Sequence, residues 1–154
     1  MCARRAATVR PDYEQSALLD NIHMDAGRDL ARDFEACALP AGAFRHRDHI
    51  HVAWTYLRAM DYQAAEKRMS DAIRKFAAAH GAASKYHHTL TVTWMRLVAA
   101  AIRVSKNVDD FDSFARAHPE LFDPTAPETL YSPSLLQSEA ARSGWVEPDL
   151  HAFP

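Results

Sequence analysis

The chain has 154 residues, 48% of them hydrophobic and 25% charged, with a formal net charge of -2. These values predict one soluble globular domain with its own core. The interspersed charges exclude the basic stripe typical of nucleic-acid-binding proteins, and the longest apolar run, residues 97–102, is far too short to span a membrane. The two cysteines, Cys2 and Cys37, form no disulfide framework, so we expect a cytoplasmic protein.

The composition also indicates the fold class. Only four glycines are present and alanine is plentiful, which favours helix over β-turns. We therefore expect an all-α, single-domain bundle of five to six helices over residues 15–154, after a flexible leader at 1–14. The first helix is predicted from about Asn21, where apolar residues recur every four positions, to about Leu39, with Cys37 as a small buried side chain near its end.

The second and third helices are predicted from about His46 to Met60 and from Asp61, a capping residue, to about His80. At roughly 100° per residue, His46 and His49 share the apolar face of the second helix. His51 falls on the opposite side of the same wheel, so we expect its side chain to face water.

The fourth helix is predicted from about Tyr86 to Val104, with His87 in the middle of its apolar face. A short fifth helix at 110–117, capped by Asn107 or Asp109, precedes an irregular proline-rich loop. Ser132-Pro133 then indicates the start of a helix that ends at Gly144. The tail should be extended, with two apolar side chains packing back on the bundle, those of Trp145 and Leu150.

Three histidines are thus expected to point from the starts of two helices into one interior. His46 and His49, three residues apart, lie close together on one helix face, and His87 would complete a facial set that suits a divalent transition metal, iron or zinc. Four further residues are candidates for an additional ligand or for contacts around the ligands, namely Glu35, Tyr86, His88 and Thr91.

Two function classes remain open on these residues. The first is a small metal-dependent enzyme acting on a small polar or carboxylate-bearing molecule, a ligand that Arg45 and Arg47 beside His46 would favour. The second is a non-catalytic helical module that binds a small ligand or another protein, in which the histidines have structural roles. The chain contains neither a G-x-S-x-G nor an H-E-x-x-H motif that would decide between the two classes. The sequence does not indicate the oligomeric state.

The motifs F-x-H-x-x-H and Y-H-x-T-x-T resemble those of a group of small all-helical bacterial proteins of unknown function. The likeness extends from about Asp33 to the C-terminal Pro148-Asp149-Leu150. The resemblance implies that these proteins share a functional site, and it indicates no reaction. In that group the residue after the histidine that matches His87 is often glutamate, whereas this chain has His88. The residues of the two motifs are Phe44, His46 and His49, and Tyr86, His87, Thr89 and Thr91.

Overall fold

The computed structural model describes residues 26–106 and 108–154. These residues form seven α-helices and no strand, which confirms the all-α prediction. The expected leader at 1–14 and the beginning of the first helix lie outside the described residues. The α-helices are α1 over residues 26–35, α2 (His46–Ala59), α3 (Tyr62–Ala79), α4 (His88–Val104), α5 (Phe111–Ala117), α6 (Pro133–Leu136) and α7 (Glu139–Ser143).

Helices α2 and α3 each begin where a carboxylate satisfies a free backbone N–H group. The carboxylate of Asp48 accepts the backbone N–H of Arg45 at 2.8 Å at the start of α2, and Asp61 accepts from Ala64 at the start of α3. Gly81 follows α3 with a φ of 67°, a conformation that glycine adopts without steric cost. These caps account for the close agreement between the predicted and observed bounds of α2 and α3.

Helices α2, α3 and α4 pack against one another and form the centre of the molecule. Trp54, Ile50 and Val98 are almost fully buried there, and Phe34 of α1 joins the same core. Helix α3 buries one side of its surface, and most of its charged residues stay outside. No helix among the described residues is long and apolar enough to cross a membrane.

Two helix ends differ from the sequence-based expectation. Helix α1 ends at residue 35 rather than near Leu39, and Cys37, which is only half-buried, follows it with a left-handed φ of 55°. Asp110, not Asn107 or Asp109, caps α5. In α1 a backbone turn ends the regular hydrogen bonding before the apolar pattern ends. In α5 the Asp110 carboxylate accepts the backbone N–H of Ser113, which fixes the helix start at Phe111.

The C-terminal third is built from shorter pieces than expected. The proline-rich loop contains two 3₁₀ helices, Pro119–Phe122 and Ala126–Thr129. The helix expected from Pro133 to Gly144 is divided, because Ser138 caps a new helix with its own hydroxyl. Trp145 packs back as expected, against Tyr131, but Leu150 is 50% exposed.

His51 does not face water, so that prediction is wrong. Its ring stacks on Phe111 of α5 with centroids 3.8 Å apart, and its Nε2 atom is buried. A Cβ added to Gly27 of α1 would lie 2.8 Å from the same nitrogen. Since α1 and α5 both cover this side of α2, the helix has more than one buried face.

Candidate functional site

The three histidines expected to share an interior line one pocket. This histidine pocket has a volume of about 210 Å³ and lies at the starts of α2 and α4, beside the middle of α3. Its walls are mainly apolar, and its polar residues come from the helix starts. The lining residues are His46, His49, Ile50, Ala53, Met69, Ile73, Lys85, Tyr86, His87, Leu90, Thr91, Trp94 and Met95.

His46 is the first residue of α2 and is held at one ring nitrogen. Its Nε2 lies 2.8 Å from the carbonyl oxygen of Leu121, in the 3₁₀ helix that follows α5. A carbonyl only accepts, so Nε2 carries a proton and donates it to this bond. The ring also lies against the indole of Trp94, with centroids 4.5 Å apart. His46 is thus oriented by a segment 75 residues away in sequence.

His87 is held at both ring nitrogens. It is the N-cap residue of α4, and its Nδ1 accepts the backbone N–H of Leu90 at 3.2 Å. Its Nε2 donates to the carbonyl oxygen of Leu136 at 2.8 Å. The imidazole therefore performs the capping that serine or aspartate usually performs, and it also ties α4 to α6.

His49 differs from the other two because its hydrogen-bonding capacity is unused. Neither ring nitrogen bonds to a residue in 26–106 or 108–154. The ring makes edge contacts with Phe44 and Phe34, at centroid distances of 4.3 and 6.2 Å. Burial lowers the pKa of His49 to about 4, with a smaller contribution from His46 in the same direction. The imidazole is therefore neutral at pH 7.

The remaining polar groups at the pocket are engaged or lie at its mouth. The Tyr86 hydroxyl lies 2.8 Å from Nδ1 of His88, which the Arg74 guanidinium also approaches at 3.3 Å. The Thr91 hydroxyl donates to the carbonyl of His87 at 3.0 Å, the bond that a threonine commonly makes to the preceding turn. Lys85 is exposed. The structure thus brings Tyr86 and Thr91 to the pocket and leaves His88 outside its lining.

The pKa of His88 is lowered, mainly by partial burial and then by the charge of Arg74. The Tyr86 ring lies under the same guanidinium, 4.7 Å from its central carbon. Arg74, Tyr86 and His88 therefore form a small cluster that fixes the side of the pocket near the start of α4.

The structure does not bring Glu35 to the histidine pocket. Its carboxylate accepts two hydrogen bonds from Arg68, at 2.6 and 3.1 Å, and one from the hydroxyl of Tyr56. The pKa of Glu35 is lowered chiefly by Arg68. Tyr56 lies seven residues beyond His49, roughly 10 Å along the axis of α2, so Phe34 of α1 reaches His49 while the carboxylate of Glu35 is held farther along that helix.

A metal ion does not fit the side chains as they are placed. Within residues 26–106 and 108–154, no three His, Cys, Asp or Glu side chains are arranged so that they could hold one together. His87 has no nitrogen to offer while it caps α4 and bonds to Leu136. The three-histidine metal site therefore stays a prediction, although its three residues meet at one pocket.

Sequence reasoning missed the groups that hold His46 and His87. Both partners, Leu121 and Leu136, contribute backbone carbonyl oxygens, and no side-chain pattern marks a carbonyl. It also missed Lys85, for which the adjacent Tyr86-His87 motif is the available signal. Comparison of the chain with models of protein families, with curated proteins and with solved structures finds no match.

Proposed function

We propose that the histidine pocket binds a small, mainly apolar molecule that carries one hydroxyl or acidic group, and that His49 receives this group. The unused hydrogen-bonding capacity of His49 carries the proposal. A neutral imidazole both donates and accepts, and the partly buried ring of His49 lines the pocket, where no side chain or carbonyl of the described residues bonds to it. A ligand group in the pocket can therefore form a hydrogen bond to His49 without displacing a bond within the protein. In this proposal the protein is a cytoplasmic binding module, and His46 and His87 position its walls.

The size of the pocket limits the ligand. A volume of about 210 Å³ lies below the roughly 300 Å³ at which sites for drug-sized ligands begin, so it suits a single ring or a short chain. Ile50, Ile73 and Met95 provide apolar contacts. The exposed ammonium group of Lys85 at the pocket favours a ligand whose polar group is acidic.

Titration calorimetry with phenol and with hexanoate at pH 7 tests this proposal. Phenol supplies a ring with one weakly acidic hydroxyl, and hexanoate supplies a short chain with a carboxylate. Ligands this small bind with roughly millimolar affinity. We expect His49→Phe, which keeps a ring against Phe34 and Phe44, to weaken binding about fivefold to tenfold.

His151→Phe is the matched control, because His151 is exposed in the C-terminal tail. It should leave the affinity unchanged. Absence of binding to both compounds, or equal binding by the wild type and His49→Phe, would contradict the proposal.

A second candidate is the metal-dependent enzyme, with His46, His49 and His87 holding iron or zinc. One observation favours it: His46 and His87 both place Nε2 against a backbone carbonyl, and metal-ligating histidines commonly donate their second N–H in this way. It requires His87 to release the N–H of Leu90 so that Nδ1 can bind the metal. The ion would then act as a Lewis acid toward a small polar or carboxylate-bearing substrate.

Elemental analysis of protein purified without a histidine tag separates the two candidates. The enzyme requires close to one equivalent of metal after reconstitution with Fe(II) or Zn(II), lost in His49→Phe and kept in His151→Phe. Less than about a tenth of an equivalent after reconstitution would rule it out.

A further inference from the structure

A second pocket, lined by arginines, lies toward the C-terminal end of α2. This arginine pocket has a volume of about 320 Å³ and is formed by α1, the second half of α2 and the first half of α3. Three helices supply its cations: Arg28 and Arg32 come from α1, Arg58 from α2 and Arg68 from α3. Glu35 is the one acidic residue among the lining residues.

Two of the four guanidinium groups are paired with carboxylates. Arg68 holds Glu35 through two hydrogen bonds. Arg32 lies 3.1 Å from Asp29 and 3.3 Å from Asp33, in pairs that are largely exposed to solvent. These pairs neutralise one side of the pocket.

The other two arginines have no carboxylate partner in the described part of the chain. Arg28 makes no ion pair with residues 26–106 or 108–154, and neither does Arg58. Arg58 donates one N–H to the carbonyl of Val108 at 3.0 Å, and its guanidinium lies 5.1 Å from the centroid of the Trp54 ring. The carbonyl and the indole fix its orientation without neutralising its charge. Because Arg32 faces two carboxylates, the four arginines and their three carboxylate partners together carry a net charge of +1, and the positive charge is concentrated at Arg28 and Arg58.

The inner wall of the same pocket is apolar. Trp54 is 2% exposed, and Ala31 and Met60 lie beside it. A guanidinium has five N–H donors in a fixed plane, and one donor of Arg58 is used by Val108. The free donors can bind two oxygens of a carboxylate or phosphate group, which is the geometry that arginine favours.

We propose that the arginine pocket binds a small organic anion, a carboxylate or a phosphate monoester on an aromatic or otherwise apolar body. Arg28 and Arg58 bind the anionic group, and the wall formed by Ala31, Trp54 and Met60 contacts the body. This site is separate from the histidine pocket and does not depend on the function proposed there, because the lining residues of the two pockets do not overlap.

Titration calorimetry of the full chain with phenyl phosphate and with benzoate tests the site, and benzyl alcohol is the uncharged comparison. We expect the anions to bind at least about tenfold more tightly than the alcohol, because a charge-assisted hydrogen bond is roughly twice as strong as a neutral one. Phenyl phosphate binding tighter than benzoate identifies a phosphate site, and the reverse order identifies a carboxylate site. Higher salt should weaken both anions.

Arg58→Gln and Arg28→Gln should each weaken anion binding at least about tenfold. Arg116→Gln is the matched control, since Arg116 is exposed on α5 and lines neither pocket. The same losses should be measured when Arg58→Gln and Arg28→Gln are made in a His49→Phe background, which separates this site from the histidine pocket. Equal affinity for the anions and the alcohol, no binding of any probe, or unchanged binding in Arg58→Gln and Arg28→Gln would overturn the proposal.

Discussion

Replacing His49 by phenylalanine should remove part of the acid sensitivity of this fold. The pKa of His49 is about 4 in the folded protein, against 6.5 for an ordinary histidine. Between these two values the unfolded chain binds a proton that the folded chain does not, so folded stability falls as the pH is lowered. The part of the stability that depends on a neutral His49 is fully present above pH 6.5 and is fully lost below pH 4.

The magnitude follows from the lowering of the pKa. Each pKa unit corresponds to about 1.4 kcal/mol, so the change from 6.5 to about 4 amounts to about 3 kcal/mol. Total stabilities are usually about 5–15 kcal/mol, which makes the loss measurable. The partly buried His88, whose pKa is also lowered, acts in the same direction. The unfolding free energy of the variant should therefore still fall as the pH is lowered, but less steeply than that of the wild type.

Urea unfolding followed by circular dichroism at half-unit steps from pH 4 to 7.5 measures this effect. The wild type should lose about 3 kcal/mol more than His49→Phe over that range. At pH 7 the variant should be at least as stable as the wild type, because an apolar ring against Phe34 and Phe44 replaces an imidazole that burial desolvates. Parallel curves for the two proteins, or a clear loss of stability in the variant at pH 7, would refute the reasoning.

Three further substitutions test the packing around the site by thermal and urea unfolding. His87→Ala should cost about 1–2 kcal/mol because the N-cap of α4 is lost, whereas His87→Asn should recover part of this; equal losses would contradict the capping role. Gly27→Ala should lower the free energy of unfolding by about 1–3 kcal/mol, since its Cβ would lie 2.7 Å from Oγ1 of Thr55. An unchanged unfolding midpoint would show that α1 shifts freely to make room. Ser132→Ala removes the hydroxyl bond to the Asp149 carboxylate and the cap of α6 but keeps the backbone N–H bond to the same carboxylate, so it should cost about 1 kcal/mol and speed proteolysis of the tail; an unchanged cleavage rate would contradict this anchor.

The sequence predicts helices well where capping and periodicity agree. Asp61 and Gly81 mark both ends of α3, and Ser132-Pro133 marks the start of α6. The helix wheels of α2 and α4 also place three histidines on facing sides, because residues on the main apolar stripe of a helix meet its neighbour. The position of the histidine pocket follows from these local rules.

Other features depend on segments far apart in sequence. The wheel places His51 on the solvent side, but α1 and α5 cover that side of α2, and no pattern within α2 indicates this coverage. Glu35 is near His46 in sequence, yet Arg68 and Tyr56 hold it elsewhere. The roles of His46 and His87 likewise depend on carbonyl groups of later segments, so the difference between a ligand and a cap could not be predicted from spacing.

The most direct test of the account is a long-range ¹H–¹⁵N spectrum of protein labelled with ¹⁵N-histidine, recorded at pH 7 with and without phenol. His49 should show the neutral pattern without ligand, and its ring nitrogens should shift progressively to saturation as phenol is added, while those of His151 stay unchanged. A protonated His49 at pH 7, or His49 signals that do not respond to phenol, would contradict the claim that this imidazole is the ligand-binding group of the histidine pocket.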